Sequence, residues 1–202
     1  MEKPAPTEYP INDLLGKRWS PRAFSDQMVE FDKLRSLFEA ARWAPSSNNG
    51  QPWSFIVATK HSQKEYDSLL ACLMEGNIRW AKLAPVLMVS VARLNFEENG
   101  KPNRHAFHDV GQAVANLTVQ ATALHLAVHQ MGGFYPDKVK ELYGIPHEYE
   151  PVAAMAIGYP GKPEMLPEQL MKREYAERER KPISEFVFSK QWTQVSPIIS
   201  SE

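Results

Sequence analysis

Apolar residues recur along this chain with two different periods, and the polar breaks between them predict helices and strands in alternation. Leu34, Leu37, Phe38 and Ala41 fall at helical spacing. Asp32 is placed to cap that helix, which must end before Pro45. Phe55-Ile56-Val57-Ala58 is too short for a helix and rich in strand formers, so it predicts a buried strand. Ser62 and Glu65 have capping-box spacing, and Tyr66, Leu69, Leu70 and Leu73 form the apolar stripe of the helix they open. Pro85 introduces a second buried strand through Val86, Leu87, Met88, Val89 and Val91. After a polar loop, the longest predicted helix runs from about His105 to His129, striped by Val110, Ala113, Val114, Leu117, Ala121, Leu124 and Val128. Gly132-Gly133 is expected to stop it. Asp137 caps a short helix through Leu142 that Gly144 ends, and residues 152–158 predict a third strand. Long helices interleaved with a few short strands predict an α+β or α/β sandwich rather than an all-β fold.

Composition narrows the picture. A chain of 202 residues with 43% hydrophobic content can bury one substantial core, and no Gly/Ser-rich or Pro-rich spacer divides it, so a single domain is expected over 1–202. The polar stretch after Gly161 reads as a tail. With 23 Lys+Arg against 24 Asp+Glu, the net charge of -1 offers no general attraction to nucleic acid or anionic membranes. The lone Cys72 cannot form an internal disulfide. The start Met1-Glu2-Lys3-Pro4 lacks the basic and apolar regions of a signal peptide, and a cytoplasmic location follows as the expectation. The longest apolar run, 86–92, is too short to span a bilayer.

Four stretches carry candidate chemistry. Arg18-Trp19-Ser20-Pro21-Arg22-Ala23-Phe24 places two arginines and a hydroxyl within five residues, enough to clamp an oxyanion, although a short basic loop is also ordinary solvated surface. Between a helix and a strand lies Ala44-Pro45-Ser46-Ser47-Asn48-Asn49-Gly50-Gln51-Pro52-Trp53. The amides of Asn49 and Gln51 each donate and accept, as the edge of a planar heterocycle with C=O and N–H groups requires. Turn chemistry explains Gly50 and Pro52 but not two serines and three amides in one loop. Met131-Gly132-Gly133-Phe134 allows close backbone approach to a flat ligand, and helix termination explains its glycines equally well. Arg178-Glu179-Arg180-Lys181-Pro182 is a second small basic cluster, able to reach a phosphate or to lie in solvent.

Together these stretches resemble the nitroreductase family, from Tyr9 to about Trp192, with support from Tyr149-Glu150-Pro151-Val152 and Ile157-Gly158-Tyr159-Pro160. The resemblance implies long helices around a small, mainly antiparallel sheet, with an extended C-terminal arm, about 162–202, embracing a dimer partner. It implies flavin mononucleotide (FMN) as cofactor, with Arg18 and Ser20 on the phosphate and ribityl chain and Arg22 at the pyrimidine edge of the ring. Pro45, Ser46, Ser47, Asn49 and Gln51 would line the ring and ribityl groups, Gly132 or Gly133 would bring a backbone N–H to the reactive nitrogen, and Arg178 and Arg180 would complete the phosphate site. A homodimer is implied, with each site built between two subunits. One departure stands out: the position between Arg18 and Ser20 is often basic or His in the family, whereas Trp19 is aromatic, so a polar contact is missing or replaced.

The activity implied is electron transfer from NADH or NADPH, docking transiently, to nitroaromatics, quinones or another electron-poor small molecule by a ping-pong cycle. The chemistry belongs to the cofactor, so no catalytic acid or base is named. A flavin-binding protein that stores, delivers or senses, without efficient turnover, is the alternative. Metal chemistry is not expected. His125 and His129, at i and i+4 on the predicted long helix, lack an intervening Glu or a nearby Cys. His105, His108 and Asp109 fall near that helix's start, where the aspartate suits the dipole.

Overall fold

The computed structural model describes residues 2–199. Its centre is a four-stranded antiparallel sheet of β1 (Trp53–Thr59), β2 (Val86–Arg93), β3 (Ala127–Met131) and β4 (Tyr149–Gly158), in the order β1-β2-β4-β3. Because successive side chains on a strand point to opposite faces, each central strand feeds two cores. Leu87, Val89 and Val91 of β2 join Ala154 and Ala156 of β4 on one face, and Val86, Met88 and Ala92 join Met155 and Ile157 on the other.

Helices cover both faces. On one lie α2 (Phe31–Arg42) and the long α5 (Ala106–Ala123), through Leu34, Leu37 and Ala41 and through Val110, Ala113, Val114, Leu117 and Ala121. On the other lie α3 (Gln63–Leu70), α4 (Glu75–Ala81) and α6 (Pro136–Tyr143), through Tyr66 and Leu69, Trp80 and Val139. The short α1 (Asp13–Lys17) precedes α2, and α7 (Glu168–Tyr175) lies in the C-terminal segment. The result is the expected α+β sandwich, with a sheet that is wholly antiparallel.

The predicted long helix is corrected. It ends at Ala123, six residues early, and His125 takes a left-handed backbone (φ 60°). The Leu126 N–H donates back to the Ala121 C=O at 2.8 Å, closing the helix as a glycine would. Residues 127–129, placed in that helix by the apolar stripe, belong instead to the edge strand β3, so Gly132-Gly133 follows a strand and Val128 packs from the sheet. The cause is physical: a short apolar run reads alike as helix or buried strand, and a histidine in the left-handed region is not a visible stop. Capping differs too. Asp32 lies inside the first turn of α2, paired with Arg35, and the side chain of Ser62 makes no cap bond. Gly144 does adopt the left-handed cap of α6.

The predicted tail is also corrected in its first half. Leu166 and Glu174 are buried against this same chain, while Phe186, Trp192 and Ile198 remain largely exposed. A bridge between Phe188 and Val195 folds the end on itself, and 200–202 of the expected arm lie outside the described residues.

Candidate functional site

The segment carrying Arg18, Ser20 and Arg22 is anchored to the sheet at its far end. Phe24 bridges Pro160, the Ser25 N–H donates to the Tyr159 C=O at 2.9 Å, and the Gly161 N–H donates to the Ala23 C=O at 2.8 Å, extending the line of β4. Gly161 is required there, since a Cβ would come within 2.7–3.0 Å of the Phe24 and Ser25 backbone. Two further groups fix the residues between. The Glu174 carboxylate, from α7, accepts from the Arg22 N–H at 2.8 Å and the Ala23 N–H at 3.0 Å. The His129 Nδ1, from β3, lies 2.8 Å from the Pro21 C=O. A carbonyl only accepts, so Nδ1 carries the proton. Burial lowers the imidazole pKa to about 4, keeping the ring neutral near pH 7; the Pro21 carbonyl opposes that shift and Arg22 adds to it. Trp80, from α4, lies under both groups, its ring centroid 4.3 Å from the His129 ring and 5.9 Å from the Arg22 guanidinium.

This scaffold frames a cavity of about 240 Å³ lined by Arg18, Ser20, Arg22, Arg178 and Arg180, together with Lys3, Trp19, Arg173 and Glu174. Five of the residues singled out in the sequence therefore meet. Six cations stand against three carboxylates in its lining. None of Arg18, Arg22, Arg178 and Arg180 makes an ion pair among the described residues. Burial first, and neighbouring cations second, lower the Arg18 and Arg178 pKa values: Arg180 acts on Arg18, and both Arg18 and Arg180 act on Arg178. Burial likewise lowers that of Arg22, with Glu174 opposing. Arg18 Nη1 donates to Ser20 Oγ at 3.3 Å, so hydroxyl and guanidinium face one point. Like charges held together in partial burial are unfavourable by themselves, and a phosphate dianion relieves them with charge-assisted hydrogen bonds. The donor set fits the phosphate of a nucleotide. A larger, mostly apolar cavity of about 770 Å³ shares Arg18, Arg178 and Arg180 with it and reaches Tyr9, Ile11 and Phe186.

The amide loop lies elsewhere in the chain. Ser46, Ser47, Asn49 and Gln51 line none of these cavities. Their loop is fastened to α5, where buried Asp109 accepts from the Ser47 N–H at 3.0 Å and Gln112 reaches the Pro45 C=O at 3.5 Å. Its backbone is held in an uncommon shape. Asn48, Asn49 and Gln51 all have positive φ (51°, 54° and 43°), and Ser46 Oγ accepts from the Gln51 N–H at 3.1 Å. The left-handed region costs residues with side chains some free energy, least for asparagine, and the Asp109 and Ser46 contacts hold the loop in it. Gly132 and Gly133 form a third group, beside α4, where Asn77 donates to the Gly133 C=O at 2.9 Å and Met74 at 3.0 Å. A Gly133 Cβ would lie 2.6 Å from the Asn77 side-chain amide nitrogen, so a larger residue there would have to displace the Asn77 side chain.

The sequence did not single out Lys3, Glu174 or Asn77. Asp109, expected to suit the helix dipole, anchors the amide loop, and His129, expected on a helical face with His125, supports Pro21. Only the pairing of β3 with β4 brings His129 to that place.

The half-buried arginines around this cavity, on an α+β sandwich, give the donor set that a nucleotide phosphate requires. The profile of the nitroreductase family matches residues 15–159, and the chain belongs to that family. A solved structure described as an oxidoreductase containing FMN matches with a TM-score of 0.88 and 36% identity, over 93% of this chain and 96% of that one. A nitroreductase family protein of Clostridium difficile 630 matches with a TM-score of 0.68 and 27% identity, over 88% and 96%. An FMN reductase [NAD(P)H] of Bacillus subtilis (strain 168) is 28% identical over 158 residues, 70% of this chain and 62% of that protein.

Proposed function

We propose that this chain, an FMN-dependent NAD(P)H oxidoreductase of the nitroreductase family, works by a ping-pong cycle in which NADH or NADPH and then an electron-poor small molecule, such as a quinone or nitroaromatic, use one site in turn. The observation that carries this reading is the cluster of Arg18, Arg22, Arg178 and Arg180 around one cavity without carboxylate pairing. When bound, FMN supplies a two-electron store. Arg18, Ser20 and Arg180 would hold its phosphate. Arg22, steadied by Glu174 at its backbone and Trp80 below its side chain, would place a cation at the pyrimidine edge, where negative charge gathers on reduction. Pro45, Ser46, Ser47, Asn49 and Gln51 would present amides and hydroxyls to the ring, and Gly132 or Gly133 a backbone N–H.

Within one chain neither the amide loop nor the glycine pair lines the arginine cavity. This supports a homodimer in which each site takes its loop from the partner. Exposed Phe186, Trp192 and Ile198 supply an apolar segment for a second copy to cover. No helix among the described residues is long and apolar enough to cross a membrane, and a cytoplasmic enzyme acting on small molecules is the setting we infer.

The test is an absorbance spectrum of the purified protein, followed by anaerobic NADH or NADPH and then a quinone. Flavin bands that bleach and return support the cycle. Bands that never bleach support storage or sensing instead, and absence of bands after added FMN removes the cofactor assignment.

A further inference from the structure

We infer that Lys3, held over the ring of Trp19, supplies the phosphate-binding cation that position 19 itself does not provide. This rests on the FMN reading above. The Lys3 side chain lines the same cavity as Arg18, Ser20 and Arg22, although it lies 15 residues before Arg18. Three contacts put it there. Its ammonium stands 5.2 Å from the centroid of Trp19, a cation–π placement that fixes the charge beside the loop. The same ammonium donates to the Glu174 C=O at 2.6 Å, in the last turn of α7, where exposed carbonyls favour a cation. Arg178 Nη1 donates both to the Lys3 C=O at 2.7 Å and to the Gly16 C=O at 2.9 Å, tying the N-terminal segment to the end of α1.

The consequence is a division of labour among the cations. One donor group of Arg178 is spent on backbone carbonyls, so part of its role is to position Lys3. Lys3 keeps two of its three N–H donors without a protein partner among the described residues, close to Arg18 and Arg180. An aromatic residue at position 19 cannot donate to a phosphate from its ring face, but it can hold a lysine that does. Lys3, held by Trp19, therefore adds a cation to the cavity lined by Arg18 and Ser20.

The experiment compares FMN with riboflavin, which lacks the phosphate, by quenching of flavin fluorescence in the parent chain and in Lys3→Met, Lys3→Arg and Trp19→Leu. Lys3→Met is expected to weaken FMN binding roughly tenfold, as loss of one charge-assisted contact does, while riboflavin binding stays the same. Lys3→Arg is expected to keep the preference for FMN, and Trp19→Leu to reduce it in the parent but not further in Lys3→Met. A parent that prefers FMN while Lys3→Met keeps that preference, or loses both ligands equally, overturns the inference alone. A parent that binds neither flavin overturns the cofactor reading and this inference with it.

Discussion

Arg18 and Arg22 are four residues apart yet have different surroundings, and this separates what each does. Arg18 faces Ser20 and lies near Arg180, so Arg18→Ala is expected to weaken FMN retention by about tenfold or more. Arg22 is held at its backbone by Glu174 and over Trp80. Arg22→Ala is expected to leave retention nearer the parent value and to lower the potential of the bound flavin by about 30 mV, or ~1.4 kcal/mol for two electrons. Equilibrium binding and a redox titration on both variants check the assignment, and indistinguishable effects would remove it. His129 carries a pH signature. Its pKa falls from 6.5 to about 4 on burial. Between those values the unfolded chain takes up a proton that the folded chain refuses, so stability is complete above about pH 6.5 and declines as pH falls toward 4. The loss approaches about 3 kcal/mol. His129→Gln, with an amide that can still donate to Pro21, is expected to flatten this part of the profile in chemical denaturation between pH 7 and 4.

At the scale of elements, the site hangs from strand ends and a helix that carries little sequence signal. The segment 18–25 is bracketed by β4 through Gly161, by β3 through His129, and by α7 through Glu174. Gly161→Ala would drive a methyl group into the Phe24 and Ser25 backbone, which cannot move aside as a side chain would. A loss of about 1 to 3 kcal/mol of stability is expected, with weaker FMN binding through displacement of Arg22. A thermal melt and a flavin titration on the same sample test both parts; an unchanged melt would show that the two segments are not held as described. The amide loop depends in the same way on α5, since buried Asp109 fixes Ser47. The helical stripes of α2, α3 and the first part of α5 are legible because apolar residues recur at 3.6-residue spacing. That of α4, which brings Trp80 beneath the site, is not, because Ile78, Trp80 and Ala81 are its only apolar residues besides Gly76 and set no clear stripe.

For the whole molecule, the proposed homodimer has a direct consequence, since neither the amide loop nor the glycine pair lines the arginine cavity of its own chain. Removing 186–202 deletes Phe186, Trp192 and Ile198, which are 60%, 85% and 82% exposed. The truncated chain is expected to shift toward monomer in size-exclusion chromatography with light scattering and to retain less FMN, while a full-length chain that is already monomeric would sink the shared-site reading. The sequence by itself determined the layered α+β class, most of the helices, three of the four strands and the residue types of the site, because periodicity and side-chain chemistry are local properties. The resemblance to the family adds Trp19 as a departure. Only the tertiary structure decided where α5 stops, that 127–131 pair as a strand, and that Lys3, Glu174 and His129 converge on the arginine loop from distant parts of the chain. The strand pairing depends on a partner more than twenty residues away, and the convergence of Lys3, Glu174 and His129 on side-chain contacts across more than a hundred residues; such contacts leave no period and no spacing for the sequence to display.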